Sequence, residues 1–186
     1  DFMWGYSDVA LFENCDITCL YDSKASGSSY LFETRVGKPA SSGVVVGKGY
    51  VLLNSTVTVE SGVKAYFGRR ASSTPASNAA TYYDQAALVN VVFAGSGSVD
   101  SSHYYSKSNY TPYGIPNSDY NTAATLYGTF ADVGWKEYNI SGTASTLSAA
   151  SEICGVITSA EYAAEYSGRR AILNRFYNVD SKAYAV

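Results

Sequence analysis

Apolar and polar residues alternate in several short segments of this chain, and each segment ends at Gly, Ser, Asn or Asp. Segments of this kind, rich in Val, Tyr and Phe, predict β-strands. The predicted strands cover residues 9–20, 29–36, 44–59, 63–67 and 88–94. The early strands follow one another at intervals of about 20 residues, with no helical pattern and no Asn-Gly type of hairpin turn between them. This rhythm favours stacked coils of short strands, a β-solenoid, and leaves a sandwich as the alternative.

Two long polar intervals interrupt the strands. Residues 71–80 and 95–124 are poor in apolar periodicity, so we expect loops that project from the coils. Near the end of the chain, Thr158 and Glu161 have the spacing of a helix capping box. The pattern after them predicts one or two short helices, over residues 161–166 and 171–177. The expected fold class is therefore all-β with short C-terminal helices.

Composition bounds the class of protein. With 186 residues, 46% of them hydrophobic and 16% charged, the chain suits a single domain over residues 1–186 with a core of its own. No apolar stretch approaches the roughly 18 residues of a membrane span. A net charge of −3 argues against nucleic-acid binding. Between Arg35 and Arg70, however, there are six basic residues and one acid, Glu60. This local excess suits an anionic ligand, unless the charges are scattered over the surface.

Sequons and cysteines indicate the compartment. N-glycosylation sequons begin at Asn54, Asn109 and Asn139. In a chain rich in Ser, Thr and Tyr they predict a secreted, extracellular glycoprotein whose signal peptide has been removed. Cys15 and Cys19 are too far apart in an extended strand to bond to each other. Either Cys154 forms a disulfide with one of them, or all three are buried as thiols.

Several kinds of chemistry have no matching residues. His103 is the only histidine, and no G-x-S-x-G elbow occurs, so a serine hydrolase triad is disfavoured. One histidine with three dispersed cysteines does not predict a zinc site, and the glycine-rich stretches match neither the phosphate-loop nor the dinucleotide pattern. We therefore expect no metal and no cofactor. An enzyme built from these residues would work with carboxylates and arginine.

Four short stretches resemble motifs of the pectin methylesterases, in that family's order. DFMWG at residues 1–5, followed by ALFENCDI, is similar to the family's Asp-Phe-aromatic-Gly stretch and its Val-Phe-Gln-Asn-Cys strand. GYVLLNS at 49–55 resembles a rung that ends in Leu-Asn-Cys or Leu-Asn-Ser, and YFGR at 66–69 resembles Tyr-Leu-Gly-Arg. GWKEYN at 134–139 resembles Gly-Trp-x-Glu. The resemblance covers most of the chain up to about residue 138, and it continues more weakly through the predicted helices.

The resemblance implies a right-handed parallel β-helix, a pectin lyase-like solenoid, whose groove binds polygalacturonate. It implies a pectinesterase, which hydrolyses the methyl esters of pectin in the plant cell wall. Asp1 would be the nucleophile that attacks the ester carbonyl, and Arg69 would hold that carboxylate in its ionised form. Trp4, Trp135 and Arg70 would contact the sugar chain. A structural salt bridge for Arg69 and a place in the core for each tryptophan are the alternatives.

The chain also departs from the family. Arg70 and Ala71 follow Arg69 where the family usually has Pro-Trp, which points to a divergent branch. The family's acid/base aspartate and oxyanion glutamine belong to coils upstream of the nucleophile, and no such region precedes Asp1 here. Without them an ester hydrolase would lose several powers of ten in rate. We therefore expect this chain to be the C-terminal portion of a β-helix that an N-terminal fragment or companion chain completes.

Two rival functions remain. The stronger is a non-catalytic β-helix, a carbohydrate-binding or structural glycoprotein of the cell wall, which the missing Pro-Trp favours. The other is a polysaccharide lyase on the same kind of coil. A lyase would need a cluster of acids for calcium or a basic residue for β-elimination, and the scarcity of acids between residues 35 and 70 disfavours it.

Overall fold

The computed structural model describes residues 2–6, 9–21, 28–37, 48–69, 82–84, 86–101, 103–105, 135–146 and 155–177. These residues form mainly short strands, followed by a helical C-terminal segment. The strands are β1 Met3–Tyr6, β2 Val9–Glu13, β3 Asp16–Cys19, β4 Ser28–Gly37, β5 Gly49–Val59, β6 Lys64–Arg69, β7 Tyr82–Asp84, β8 Ala86–Gly95, β9 Ser98–Val99, β10 Tyr104–Tyr105, β11 Trp135–Tyr138, β12 Ser141–Gly142 and β13 Gly155–Val156. The helices are α1 Ser159–Glu161, a π-helical turn Tyr162–Tyr166 and α2 Arg169–Tyr177.

The strands form two sheets that are almost entirely parallel. Sheet A has the order β1-β4-β6-β10, with β7 beside β4 and β9 beside β6. Sheet B has the order β13-β11-β8-β5-β2, with β3 beside β5 and β12 beside β8. In the part of the chain that the structure describes, only the β4–β7 pairing is antiparallel. The chain alternates between the sheets, so each pass adds neighbouring strands to both, as the absence of hairpin turns predicted.

One apolar core lies between the sheets. Sheet A contributes Leu31, Phe32 and Phe67, and sheet B contributes Leu52 and Phe93 among others. The Phe67 and Phe93 rings stack with centroids 4.6 Å apart, so the two sheets meet directly at this point. Close packing of this kind fixes the backbone of both sheets.

A second apolar cluster covers the opposite face of sheet B. Val51, Leu53, Ala87 and Val89 alternate with the core residues of β5 and β8 and are buried against the C-terminal helical segment, through Ile157, Tyr166 and Ile172. The two strands are therefore buried on both faces, which explains their continuous apolar runs VLL and AALV.

Charged and capping contacts hold the helical segment in place. Thr158 Oγ1 accepts from the Glu161 amide, and Glu161 Oε2 accepts from the Thr158 amide, which confirms the predicted capping box. Lys48 Nζ donates to the Glu165 carbonyl at 2.6 Å. Arg169 donates through Nε and Nη2 to Glu13 Oε2 at 2.9 and 2.6 Å. Because Glu13 lies on β2, the helices reach from the last strands of sheet B back to its first.

Four asparagines mark the same bend in successive passes of the chain. Asn14, Asn54, Asn90 and Asn139 have φ values of 56°, 50°, 54° and 52°. The residues immediately before them are paired in register across neighbouring strands: Glu13 with Leu53, Leu53 with Val89, and Val89 with Tyr138. The four asparagines therefore lie in line across sheet B. Asn90 Nδ2 donates to Asn54 Oδ1, and Asn139 Nδ2 donates to Asn90 Oδ1, both at 2.9 Å. Three of the four side chains thus form a continuous hydrogen-bonded ladder.

The structure corrects one predicted loop. Residues 95–124 were expected to be a loop, yet β9 and β10 lie within this interval and pair with β6. His103 precedes β10 and is buried rather than displayed. The other predicted loop, residues 71–80, lies outside the described residues. None of the helices in the described segments has the length and apolar character that a membrane crossing requires.

Candidate functional site

Four residues of interest stand side by side near the C-terminal ends of adjacent strands in sheet A. Trp4 of β1 is paired in register with Glu33 of β4. Phe32 is paired with Gly68, so the next residues, Glu33 and Arg69, are neighbours as well. Arg69 is paired in turn with Tyr105 of β10. We call Trp4, Glu33, Arg69 and Tyr105 the first row.

A second row lies two residues further along the strands. Tyr6 of β1 is paired with Arg35 of β4, and Arg35 is paired with Asp84 of the antiparallel strand β7. Because residues two apart on a strand share a face, Tyr6 and Arg35 lie on the face that the first row occupies. The two rows together bring two arginines, two acids and three aromatic residues to one area of the sheet.

The residues that precede Glu33 and Arg69 pack into or against the core. Phe32, which precedes Glu33, is completely buried in the core between the sheets. A Cβ atom on Gly68, which precedes Arg69, would point to the Trp135 indole, 3.3 Å from Nε1. Leu31 and Phe67, which lie two residues before Glu33 and Arg69, are completely buried in the same core, so strand alternation alone assigns no face to Glu33 and Arg69.

The core beside these strands is aromatic. Phe32 lies 5.9 Å from Phe12 and 5.5 Å from Tyr50, measured between ring centroids. Trp135 is completely buried next to Gly68. An indole with no exposed surface offers no platform to a sugar ring, so Trp135 takes the core position that was the alternative for the tryptophans. We therefore leave it out of the proposed binding surface.

A pair of tyrosines extends the same sheet away from the rows. Tyr30 and Tyr66 are paired in register three residues before Glu33 and Arg69, which corresponds to about 10 Å along the strands. Their rings stack with centroids 5.2 Å apart and an interplanar angle of 20°. Both are half-buried, so part of this aromatic surface is open to solvent. Stacked flat rings of this kind suit the apolar faces of sugar rings.

A buried polar pair lies inside the core, away from the rows. His103 Nδ1 is 3.1 Å from Glu137 Oε2, and both residues are buried. The imidazole also stacks on Phe67 with centroids 4.3 Å apart. Glu137 belongs to the stretch that resembles Gly-Trp-x-Glu. The pair connects β11, which carries Glu137, to the segment beside β6, where the His103 carbonyl accepts from the Phe67 amide.

The remaining predicted residues are distributed as follows. Asp1, Arg70 and the sequon residue Asn109 lie outside the described residues. Asn54 and Asn139 are exposed, and both belong to the asparagine ladder. Trp4 and Arg69, taken from two separate motifs, are brought into one row. In the described segments no group of three or more His, Cys, Asp or Glu residues is arranged to hold a metal ion.

Sequence reasoning missed Glu33, Tyr105, Tyr30 and the second row. A signal for Glu33 is present in the sequence. Tyr30-Leu-Phe-Glu and Tyr66-Phe-Gly-Arg both begin with tyrosine and both place a charged residue three positions later. Alignment of these two stretches as successive coils would have placed Glu33 beside Arg69.

Comparisons with protein-family models, with curated proteins and with solved structures find no match to this chain.

Proposed function

We propose that this chain forms coils of a right-handed parallel β-helix and that its site hydrolyses the methyl esters of polygalacturonate. The observation that carries the proposal is the first row. Trp4 comes from the stretch that resembles the nucleophile motif, and Arg69 comes from the stretch that resembles the arginine motif. Strand register brings them to one row of adjacent parallel strands in sheet A.

Two features support the β-helix as the finer description of the fold. The chain alternates between two sheets, and each sheet grows by parallel neighbours. The four asparagines also repeat one bend with a positive φ, at intervals of 40, 36 and 49 residues. Successive passes of the chain therefore differ in loop length but have the same backbone conformation at the bend. Repeats that contact only their neighbours along an axis are the mark of a solenoid.

The chemistry follows from a charged nucleophile beside an arginine. The Asp1 carboxylate would attack the ester carbonyl, methanol would leave after accepting a proton, and water would then hydrolyse the acyl-enzyme to a free uronate. The Arg69 guanidinium would orient the Asp1 carboxylate and keep it ionised. Trp4 and the tyrosines Tyr30 and Tyr66 would supply flat surfaces for the sugar chain. Arg70 would add positive charge for the carboxylates of pectin.

The proton donor for methanol would come from a partner that adds further coils. Within the described residues, β1 and β2 are edge strands, each bonded to a neighbour on one side only. Phe2 lies beside this edge with 44% of its surface exposed and contacts Phe12 and Phe32. Such an edge is suited to pairing with another strand. An N-terminal fragment or companion chain of the same β-helix would occupy it, in a secreted protein glycosylated at one or more of its sequons.

The test is the release of methanol from highly esterified pectin by the complete protein. Asp1→Asn should lower the rate at least about a thousandfold, because an amide cannot act as the nucleophile. Arg69→Gln should also lower it, with a smaller loss than Asp1→Asn. Asp16→Asn is the matched control, since Asp16 is an exposed acid on β3 of sheet B. Equal release by the wild-type and Asp1→Asn proteins would remove Asp1 from the mechanism.

A non-catalytic carbohydrate-binding β-helix is the second candidate. It is favoured by two departures, the arginine in place of Pro-Trp after Arg69 and the burial of Trp135. It predicts that the complete protein binds pectin through the first row, that Arg69→Gln weakens this binding, and that no methanol is released. The same set of variants therefore separates the two functions.

A further inference from the structure

We propose that the outer edge of β2 and β3 docks one more parallel coil, and that an asparagine at the bend of this coil continues the ladder at Asn14. In the part of the chain that the structure describes, β2 and β3 pair only with β5. The inference rests on the proposed function, because it takes the chain as part of a β-helix. It goes further by naming the groups that recognise the companion coil and the residues that this coil must present.

The backbone of β3 has hydrogen-bonding groups on its outer side. The Thr56 amide donates to the Cys15 carbonyl at 2.9 Å, and the Glu60 amide donates to the Cys19 carbonyl at 3.1 Å. Successive residues of a strand direct their N–H and C=O groups to opposite sides, so Cys15 and Cys19 face β5 and Thr18 faces away from it. Among the described strands none lies on that side, and such an edge is a template for another strand.

The apolar core is also open at this edge. All five residues of β2 are half-buried, whereas their register partners on β5, residues 49–53, are buried. Phe12 is paired with Leu52, which has no exposed surface, and Phe2, which contacts Phe12, is 44% exposed. A coil inside a solenoid is covered by a neighbour on each side. A further coil beside β2 would therefore bury Phe12 as Leu52 is buried now.

The asparagine ladder indicates what this coil carries at its bend. Asn90 Nδ2 donates to Asn54 Oδ1, and Asn139 Nδ2 donates to Asn90 Oδ1, so each pass of the chain donates to the pass before it. Asn14 lies in line with these residues and has the same positive φ, yet in the described segments no side-chain hydrogen bond joins it to Asn54. The next acceptor in this series is the side-chain oxygen of an asparagine one coil before Asn14.

The companion coil is thereby defined. It runs parallel to β2 and β3, bends at an asparagine, and places apolar residues beside Phe12 and Ile17. Residues 49–59 of this chain have that pattern, because Leu52 and Val57 are the register partners of Phe12 and Ile17, and Asn54 stands between them. A second copy of the chain does not have it. A twofold dimer that joined the two cores would pair the two edges antiparallel, and the ladder could not continue.

The experiment uses a labelled peptide of residues 49–59, GYVLLNSTVTV, as the probe. Two added lysines at each end oppose its self-association. Fluorescence anisotropy measures its binding to the full 186-residue chain, and a matched peptide carries Asn54→Ala. Asn14→Gly in the protein removes the side chain and keeps the positive φ without strain. Thr18→Pro removes the outward N–H, which an edge strand tolerates, and Thr18→Ala is its control.

We expect the wild-type protein to bind the peptide and Asn14→Gly to weaken this binding roughly threefold to fivefold, the effect of one exposed hydrogen bond. Thr18→Pro should weaken it about tenfold or more, with little change for Thr18→Ala. Asn54→Ala in the peptide should weaken binding to the wild type more than binding to the Asn14→Gly protein, again by a factor of roughly three to five. This cycle isolates the contact between the two asparagines.

The inference would be overturned if the wild-type protein did not bind the peptide, or if Thr18→Pro left binding unchanged. Equal effects of Asn54→Ala on the wild-type and Asn14→Gly proteins would also overturn it, since the ladder would then play no part. A dimer of the chain in sedimentation, lost in Thr18→Pro, would assign the edge to a second copy instead. Each of these outcomes leaves methanol release by the complete protein standing, and that assay decides the proposed function separately.

Discussion

The asparagine ladder allows a quantitative test of how successive passes of the chain are held together. Asn90 is its central member. Its Nδ2 donates to Asn54 Oδ1 at 2.9 Å and to Tyr162 Oη at 3.3 Å, and its Oδ1 accepts from Asn139 Nδ2 at 2.9 Å. Its φ of 54° lies in the left-handed region, which asparagine adopts more readily than alanine. Asn90→Ala should therefore remove both a set of hydrogen bonds and a backbone preference.

The two contributions can be estimated separately. The ladder bonds are exposed, so each of the two shorter ones contributes about 0.5 to 1 kcal/mol. Placing alanine in the left-handed region costs about 1 kcal/mol relative to asparagine. Asn90→Ala should thus lower the free energy of unfolding by about 2 to 3 kcal/mol. For a chain of this length, that corresponds to a fall in Tm of roughly 5 to 10 °C.

Glycine variants separate the hydrogen bonds from the backbone, because glycine adopts a positive φ without strain. Asn90→Gly should lose only the hydrogen-bond part, about 1 to 2 kcal/mol by urea unfolding. Asn14 is the matched control, since it has a φ of 56° and no side-chain hydrogen bond joins it to Asn54 in the described residues. Asn14→Gly should therefore cost little. The reasoning fails if Asn14→Gly costs as much as Asn90→Gly, or if Asn90→Gly is as stable as the wild type.

Three further predictions concern stability. Gly95→Ala should lower the free energy of unfolding by more than about 2 kcal/mol, because φ is +96° and a Cβ would lie 2.2 Å from a backbone oxygen of the neighbouring strand. Gly168→Ala is the control, because the space around Gly168 is open, and it should be neutral or stabilising in the same urea titration. Glu137→Ala should lower the free energy of unfolding by about 3 kcal/mol, because it removes the carboxylate from the buried pair. In a double-mutant cycle, the loss for Glu137→Ala combined with His103→Ala should be smaller than the sum of the two single losses, and additive losses would show that the two side chains are not coupled. Burial raises the pKa of the Cys19 thiol, so its contribution to stability is present below the ordinary thiol pKa of about 8.5 and is lost as pH rises through the higher folded value. Cys19→Ala should accordingly lose less stability between pH 7 and pH 10 than the wild type does, and equal losses would contradict this.

The strands and their parallel arrangement could be predicted because they depend on local pattern. Most of the predicted strands coincide with observed ones, and their spacing without hairpin turns correctly favoured parallel pairing. The segment over residues 9–20 is instead two strands, separated by the bend at Asn14. Apolar alternation continues across that bend, so the pattern holds no sign of it. Asn54 and Asn139 were interpreted only as sequon residues. The hydrogen-bonded ladder joins residues that are 36 and 49 positions apart, and a local motif does not reveal contacts over such separations.

Contacts between distant residues could not be predicted for the same reason. Register between passes depends on loops of different lengths, and it decides that Glu33 stands beside Trp4 and next to Arg69. It also decides that His103, which lies in a polar interval, meets Glu137 inside the core. Motif resemblance selected Trp4 and Arg69 one at a time. Only the register shows that they share a row with an acid between them.

The two sheets differ in what covers the side that faces away from the core. On sheet B the apolar residues Val51, Leu53, Ala87 and Val89 point away from the core, and the C-terminal helical segment buries them through Tyr166 and Ile172. That face is therefore closed by the chain itself, with Arg169 bonded to Glu13 at its far end. Sheet A carries the half-buried Tyr30–Tyr66 stack, and the two charged rows follow it along the same strands. We therefore propose sheet A, rather than the covered face of sheet B, as the sheet that carries the ligand site.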